Sequence, residues 1–108
     1  MPEKRIQKTE SAVKTAEHIS ANQKAELLGL LSRLKSALEK VEHHEDAESI
    51  ARFAEASVHE ATRKKKKPNV LEAALHGLEQ SVEEFEASHP ELVAVVTKFS
   101  TVLANMGL

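Results

Sequence analysis

The chain has 108 residues, a mass of 11.9 kDa and a formal net charge of −2, with 15 Lys and Arg residues against 17 Asp and Glu residues. This length predicts one domain with a small core, and the balanced charge gives no overall attraction to nucleic acid. The sequence contains no cysteine, which excludes disulfides, thiolate metal sites and cysteine nucleophiles.

Apolar residues recur at helical spacing along almost the whole sequence, and only three Gly and three Pro interrupt them. Because no stretch alternates with a period of two, the pattern predicts an all-α fold. We expect a small antiparallel bundle of four to five helices that dimerisation completes. No apolar run approaches the roughly 18 residues that span a bilayer. Charged residues also interrupt the N-terminal segment, so we expect a cytoplasmic protein without a membrane partner.

The first predicted helix covers about residues 3–19, and its large apolar residues are Ile6, Val13 and Ile19. Their positions drift around the helix instead of forming a stripe, which predicts a weakly packed N-terminal helix within residues 1–20. The bundle domain is expected to cover residues 21–108. At its start, Ser20 and Gln23 have the spacing of a capping box.

The second predicted helix, residues 21–43, carries apolar side chains at alternating steps of four and three. They are Leu27, Leu31, Leu34, Leu38 and Val41. This spacing predicts a broad packing stripe. The phase of the stripe fails beyond Val41 and Asp46 can cap a helix, so a third helix is expected over residues 47–63.

A run of five cations follows the third predicted helix and ends at Pro68. We call it the basic run; its members are Arg63, Lys64, Lys65, Lys66 and Lys67. The simplest interpretation is a solvated helix end, where cations complement the helix dipole. The alternative is contact with an anion, either nucleic-acid phosphate or an acidic protein segment. Aromatic residues for base stacking are absent nearby, and residues 68–108 carry six Glu and one Lys. An acidic partner surface therefore exists within the protein itself.

Two more helices are predicted in the remaining sequence. Asn69 with Glu72, and Ser88 with Glu91, have capping-box spacing and mark their starts. The helix after Asn69 has a stripe that ends at Phe85. The last helix is expected to end near residue 106, with Gly107 at the C′ position. Its stripe comprises Leu92, Val96, Phe99, Leu103 and Met106.

Residue patterns that would indicate catalysis or metal binding are weak. Glu86 and His89 form the only Glu-x-x-His pair, whereas a carboxylate-bridged di-iron site needs two such pairs. The sequence has no H-E-x-x-H pattern, no G-x-S-x-G elbow and no Gly-rich phosphate loop. We therefore expect no enzyme, no catalytic or metal-ligating residue and no cofactor.

The C-terminal third of the sequence resembles a known family. The residues that carry the resemblance are Leu78, Ser81, Val82, the F-E-A-S-H-P segment at 85–90, Leu92 and the L-A-N-M-G-L ending at 103–108. They resemble a family of short bacterial helical proteins, classed as a domain of unknown function, that end in an F-E-x-x-H-P turn and an apolar helix. The resemblance extends over about residues 24–108, and the lysines at 64–67 depart from it. It implies a family without an assigned active site, so no catalytic residue is carried over.

These observations together predict a non-enzymatic interaction or assembly module. We expect a homodimer, with a further protein partner that the sequence does not identify. The expected interface uses the stripes of the second and last helices, namely Leu27, Leu31, Leu34, Leu38, Leu92, Val96, Phe99 and Leu103. The alternative function is a nucleic-acid-associated accessory protein that binds through the basic run. Aromatic residues are lacking near the run, which argues against this alternative.

Overall fold

A computed structural model of the protein describes residues 2–108. Over that range the chain forms five α-helices and no strand, which confirms the all-α prediction. They are α1 (Pro2–Thr15), α2 (Ala21–Leu38), α3 (His44–Ala61), α4 (Pro68–Val82) and α5 (Pro90–Gly107), with one 3₁₀ turn at Glu83–Phe85. Helix α3 packs against α1, α4 and α5, and α2 packs against α1 and α5. The bundle is therefore organised around α3.

The apolar stripes of the helices meet in one core. Large side chains that are completely or almost completely buried come from every helix, and they include Ile6, Leu27, Leu31, Leu34, Ile50, Leu71, Leu78, Leu92, Phe99 and Leu103. Burial of such side chains is the main favourable contribution to folding. The four-three spacing thus predicted burial correctly in α2, α4 and α5, except at Met106, which is only partly buried.

Helix α1 is more firmly packed than its sequence indicates. Ile6 and Val13 are fully buried, and Thr9 between them is also buried. Together these positions form a stripe against α2 and α3, so the expectation that the apolar residues of this helix form no stripe is wrong. Thr9 can be buried because its hydroxyl donates to the carbonyl of Arg5 at 2.9 Å. The proposed domain boundary near residue 20 stays a prediction.

The starts of α4 and α5 are at prolines and not at the positions that the predicted capping residues indicate. The Ser20 capping box is present as predicted, because its hydroxyl accepts from Gln23 N–H and the Gln23 side chain accepts from Ser20 N–H. By contrast, α4 begins at Pro68, two residues earlier than a cap at Asn69 would set it. Helix α5 begins at Pro90, one residue later than a cap at Ser88 would set it. A first-turn proline needs no partner for a missing N–H and fixes φ at a helical value. The predicted caps at Asn69 and Ser88 are therefore wrong.

The connection between α2 and α3 also differs from the prediction. Helix α2 ends at Leu38 instead of near residue 43, although Val41 beyond it is still buried. Helix α3 begins at His44, so Asp46 lies in its first turn and is not its cap. An acidic residue in the first turn is favoured by the helix dipole.

Gly107 lies inside α5 and does not occupy a left-handed C′ position. It is buried where α5 meets the end of α3 and the start of α4. A Cβ atom placed on Gly107 would lie 3.5 Å from the Cα of Ala61 and would overlap a methyl group of Leu71. Close approach, and not backbone conformation, therefore explains the glycine at this position.

Candidate interaction face on helices α3 and α4

The residues predicted to form an interface are buried within the single chain. Leu27, Leu31, Leu34, Leu38, Leu92, Val96, Phe99 and Leu103 all belong to the core. Helices α2 and α5 pack directly against each other, so each stripe covers the other. The prediction that these stripes face a second chain is wrong for this structure, and a contact between copies would have to use other residues.

The large apolar residues that remain exposed lie elsewhere. Phe53 on α3 is 38% exposed and Val70 on α4 is 45% exposed, and Leu108 at the end of α5 is the third such residue among those described. Val70, Ala73 and Gly77 share one side of α4 because they are three and four residues apart. We call Phe53, Val70, Ala73 and Gly77 the α3–α4 face.

Phe53 and Gly77 connect the two halves of this face. A Cβ atom placed on Gly77 would overlap Cε1 of Phe53, and would lie 2.8 Å from its Cδ1 and 3.1 Å from its Cζ. The absence of a side chain at Gly77 therefore leaves room for the Phe53 ring against α4. The ring is partly covered by its own chain and presents its remaining surface to solvent.

The basic run is divided into engaged and free cations. Arg63 forms an ion pair with Glu60 at 3.0 Å, and Lys66 donates to the carbonyl oxygen of Ala61 at 2.7 Å at the end of α3. Lys64, Lys65 and Lys67 are exposed, and within residues 2–108 none of these three forms an ion pair. The free cations lie directly before the first turn of α4.

Acidic side chains collect at the opposite end of α4. Glu79, Glu83 and Glu86 line an open cavity of about 270 Å³ between this end and α5, and Glu84 lies beside them in the 3₁₀ turn. All four are exposed, and in the described part of the chain none of them has a cationic partner.

Helix α4 thus carries charges of unfavourable sign at both ends. A helix dipole favours anions at the N-terminus and cations at the C-terminus, but the first turn of α4 has no acidic residue and its last turn no basic one. The lysines of the run complement α3, as Lys66 shows, whereas nothing within residues 2–108 neutralises the carboxylates at the other end. Within the described residues, the charge at the two ends of α4 is therefore uncompensated.

A second charged cluster connects α1 to α3. Arg5 donates to Glu48 at 2.9 Å and to Glu55 at 2.7 Å, and Lys8 lies 3.7 Å from Glu55. The hydrogen bond from Arg5 lowers the pKa of the Glu48 carboxyl below its ordinary value. This cluster has the geometry of a structural contact, since it holds two helices together. Lys8 and Glu55 also line an open cavity of about 480 Å³ between α1 and α3.

The F-E-x-x-H-P segment forms a corner between α4 and α5. The ring of His89 meets the edge of Phe85 at a centroid distance of 5.4 Å. His89 Nε2 lies 3.1 Å from the carbonyl oxygen of Lys40 and its Nδ1 lies 2.9 Å from the hydroxyl of Ser88. Because a carbonyl can only accept, Nε2 donates the hydrogen and Nδ1 accepts from Ser88. His89 therefore attaches this corner to the end of α2.

Neither the histidines nor the acidic residues form a metal site in the described structure. Within residues 2–108, no three His, Asp or Glu side chains are placed so that they could hold a metal ion. Over the same residues, no helix combines the length and the apolar character needed to cross a membrane.

Comparison with known proteins places most of the chain in a family. The family model described as "Domain of unknown function (DUF4404)" matches residues 27–108. The match includes α3, α4, α5 and most of α2, and it begins beyond α1. No curated protein and no solved structure matches the chain.

Proposed function

Since the chain belongs to the DUF4404 family, whose function is unknown, we propose from its structure that it is a non-enzymatic assembly module that forms a homodimer through the α3–α4 face. The observation that carries this proposal is the exposure of Phe53 and Val70 on adjacent helices. Exposed apolar surface that is grouped on one face favours a protein contact more than scattered exposure does.

The proposed contact is an addition to a complete fold. A folded monomer of this mass exposes about 5,900 Å² on average, and the single chain exposes 6322 Å². The monomer therefore buries its core without help. A dimer formed on this basis is reversible and depends on concentration, because each copy is stable before the two meet.

We place this module in the bacterial cytoplasm. Its cysteine-free sequence suits a reducing compartment. Nucleic-acid binding through the basic run is the competing function. Arg63 and Lys66 already have partners within the chain, which leaves three free lysines and supports the assembly role over the competing one.

The test is the mass of the purified protein as a function of concentration, measured by light scattering. We expect the mass to rise from 11.9 kDa toward twice that value as the concentration enters the high micromolar range. Val70→Glu should keep the protein monomeric, because it places a charge on the α3–α4 face. It should not harm folding, since Val70 lies in the first turn of α4, where an acidic residue is favourable.

A matched control is Ala25→Glu, which adds the same charge to an exposed position near the start of α2. The control should dimerise like the wild type. A wild-type protein that stays monomeric at every concentration would contradict the proposal, as would a Val70→Glu protein that dimerises as strongly as the control. Salt-sensitive retention of the monomeric wild type on DNA or RNA would instead support the competing function.

A further inference from the structure

We infer that two copies of this chain pair with their α4 helices antiparallel, so that the free lysines of each copy meet the acidic end of the other. The inference rests on the dimer proposed above and specifies its partner and orientation. It starts from the charges at the two ends of α4, which the monomer leaves uncompensated.

The two charged ends are separated by the length of one helix. Helix α4 has 15 residues, so it extends about 22 Å at 1.5 Å per residue. Lys64, Lys65 and Lys67 precede it, and Glu83 and Glu84 follow it. At about 0.1 M salt the Debye length is about 10 Å, so these groups interact weakly with each other inside one chain. A partner with the opposite polarity can compensate both ends at once.

A two-fold axis perpendicular to α4 produces this arrangement. In a symmetric dimer the same patch is used twice, so residue i contacts residue j and j contacts i. With the axis at the middle of α4, Val70 lies opposite Gln80, and Ala73 lies opposite Gly77 and the Phe53 ring that packs against it. The same register brings Lys67 opposite Glu83. The centre of the contact then consists of uncharged residues, and charges of opposite sign lie at both of its ends.

The orientation follows from electrostatics. A parallel pair would place lysines against lysines and carboxylates against carboxylates, and juxtaposed like charges oppose association. Antiparallel pairing also aligns the N-terminus of one α4 with the C-terminus of the other, which is favourable for the two helix dipoles. The exposed residues at the centre of α4 supply contact area, and the charged ends of α4 determine that the two helices pair antiparallel.

The test uses two charge-reversed variants of the full chain. Lys65→Glu with Lys67→Glu gives the three free-cation positions a net charge of −1, so both ends of α4 are acidic. Glu79→Lys with Glu83→Lys and Glu84→Lys gives the four carboxylate positions a net charge of +2, so both ends are basic. Each variant alone should raise the dimer dissociation constant about tenfold or more, because like charges now meet at both ends. An equimolar mixture of the two should form a heterodimer, since every contact between them joins opposite charges.

Matched controls separate orientation from net charge and folding. Lys14→Glu with Lys98→Glu changes the net charge as much as the acidic variant does, but at exposed positions on α1 and α5, and it should dimerise like the wild type. Circular dichroism should show that all variants remain helical. The acidic variant adds charges that the α4 dipole favours at the N-terminus, and the basic variant does the same at the C-terminus.

The outcomes distinguish the two proposals. Loss of dimer in each variant with recovery in the mixture supports antiparallel pairing. A wild-type dimer that both variants retain would overturn the pairing but leave the dimer itself in place. Variants that dissociate but do not recover when mixed would also overturn it. A wild-type protein that is monomeric throughout would overturn the pairing together with the proposed function.

Discussion

Replacing Ile6 by Ala tests whether α1 is an integral part of the bundle. Ile6 is fully buried, and the substitution removes every side-chain carbon beyond Cβ. Loss of burial costs about 0.8 kcal/mol for each methylene-sized group, or about 2.4 kcal/mol for the three that are lost. Incomplete collapse of the remaining space adds to this, so we expect the free energy of unfolding to fall by about 3 kcal/mol.

Thermal and urea unfolding measure this loss. An unfolding entropy of about 2.1 cal/mol/K per residue makes a loss of 3 kcal/mol equivalent to a decrease in Tm of about 13 °C for a chain of this length. Gln7→Ala, at the neighbouring exposed position on the same helix, is the control and should change stability by less than about 0.5 kcal/mol. If Ile6→Ala lowers the free energy of unfolding as little as the control does, α1 does not pack on the bundle in solution and the reasoning is refuted.

Two further predictions concern the corner and the α1–α3 cluster. At the corner, Phe85→Ala should lower the free energy of unfolding by about 3 kcal/mol through cavity formation, and His89→Ala by about 1 kcal/mol through loss of its contacts. Ser88→Ala should lower it less than either. Unfolding curves in which Ser88→Ala is more damaging than His89→Ala would contradict the role given to His89. At the cluster, Arg5→Gln should lower stability at neutral pH. Because Arg5 lowers the pKa of the Glu48 carboxyl below its ordinary 4.5, its contribution is present above that value and lost as the pH falls through the lowered pKa. Wild type and variant should therefore converge in acid, and a difference that persists unchanged there would exclude this coupling.

The sequence predicted the helices and the core because both depend on local periodicity. Leu31 and Leu34 on α2, like Leu92 and Phe99 on α5, recur at the spacing that places side chains on one side of a helix. Each of these residues is buried. Periodicity indicates which side of a helix is covered but carries no information about what covers it. The stripes of α2 and α5 were therefore assigned to a second chain, although they cover each other.

Polar residues limited the prediction in two places. At Thr9, a count of large apolar residues missed a buried position, because the hydroxyl donates a hydrogen bond to a carbonyl on the preceding turn of the same helix. At Ser88, the capping pattern was present in the sequence, but its hydroxyl bonds to His89 instead. The contact between His89 and Lys40 joins residues far apart in the chain, and no local pattern indicates such a bond. His89 is therefore expected to stabilise the corner more than Ser88, although the sequence pattern assigned a capping role to Ser88.

Phe53 and Phe99 show why exposure identifies the candidate face better than hydrophobic spacing does. Both residues lie on 18-residue helices, yet Phe99 is enclosed by the core and Phe53 remains 38% exposed. At Gly77 the missing side chain leaves room for the partly exposed Phe53 ring against α4. A residue larger than glycine at this position would displace the ring and change the shape of the face. The apolar surface between the two charged ends of α4 therefore depends on a glycine that the helix itself does not require, since Gly lowers helix stability by about 1 kcal/mol relative to Ala.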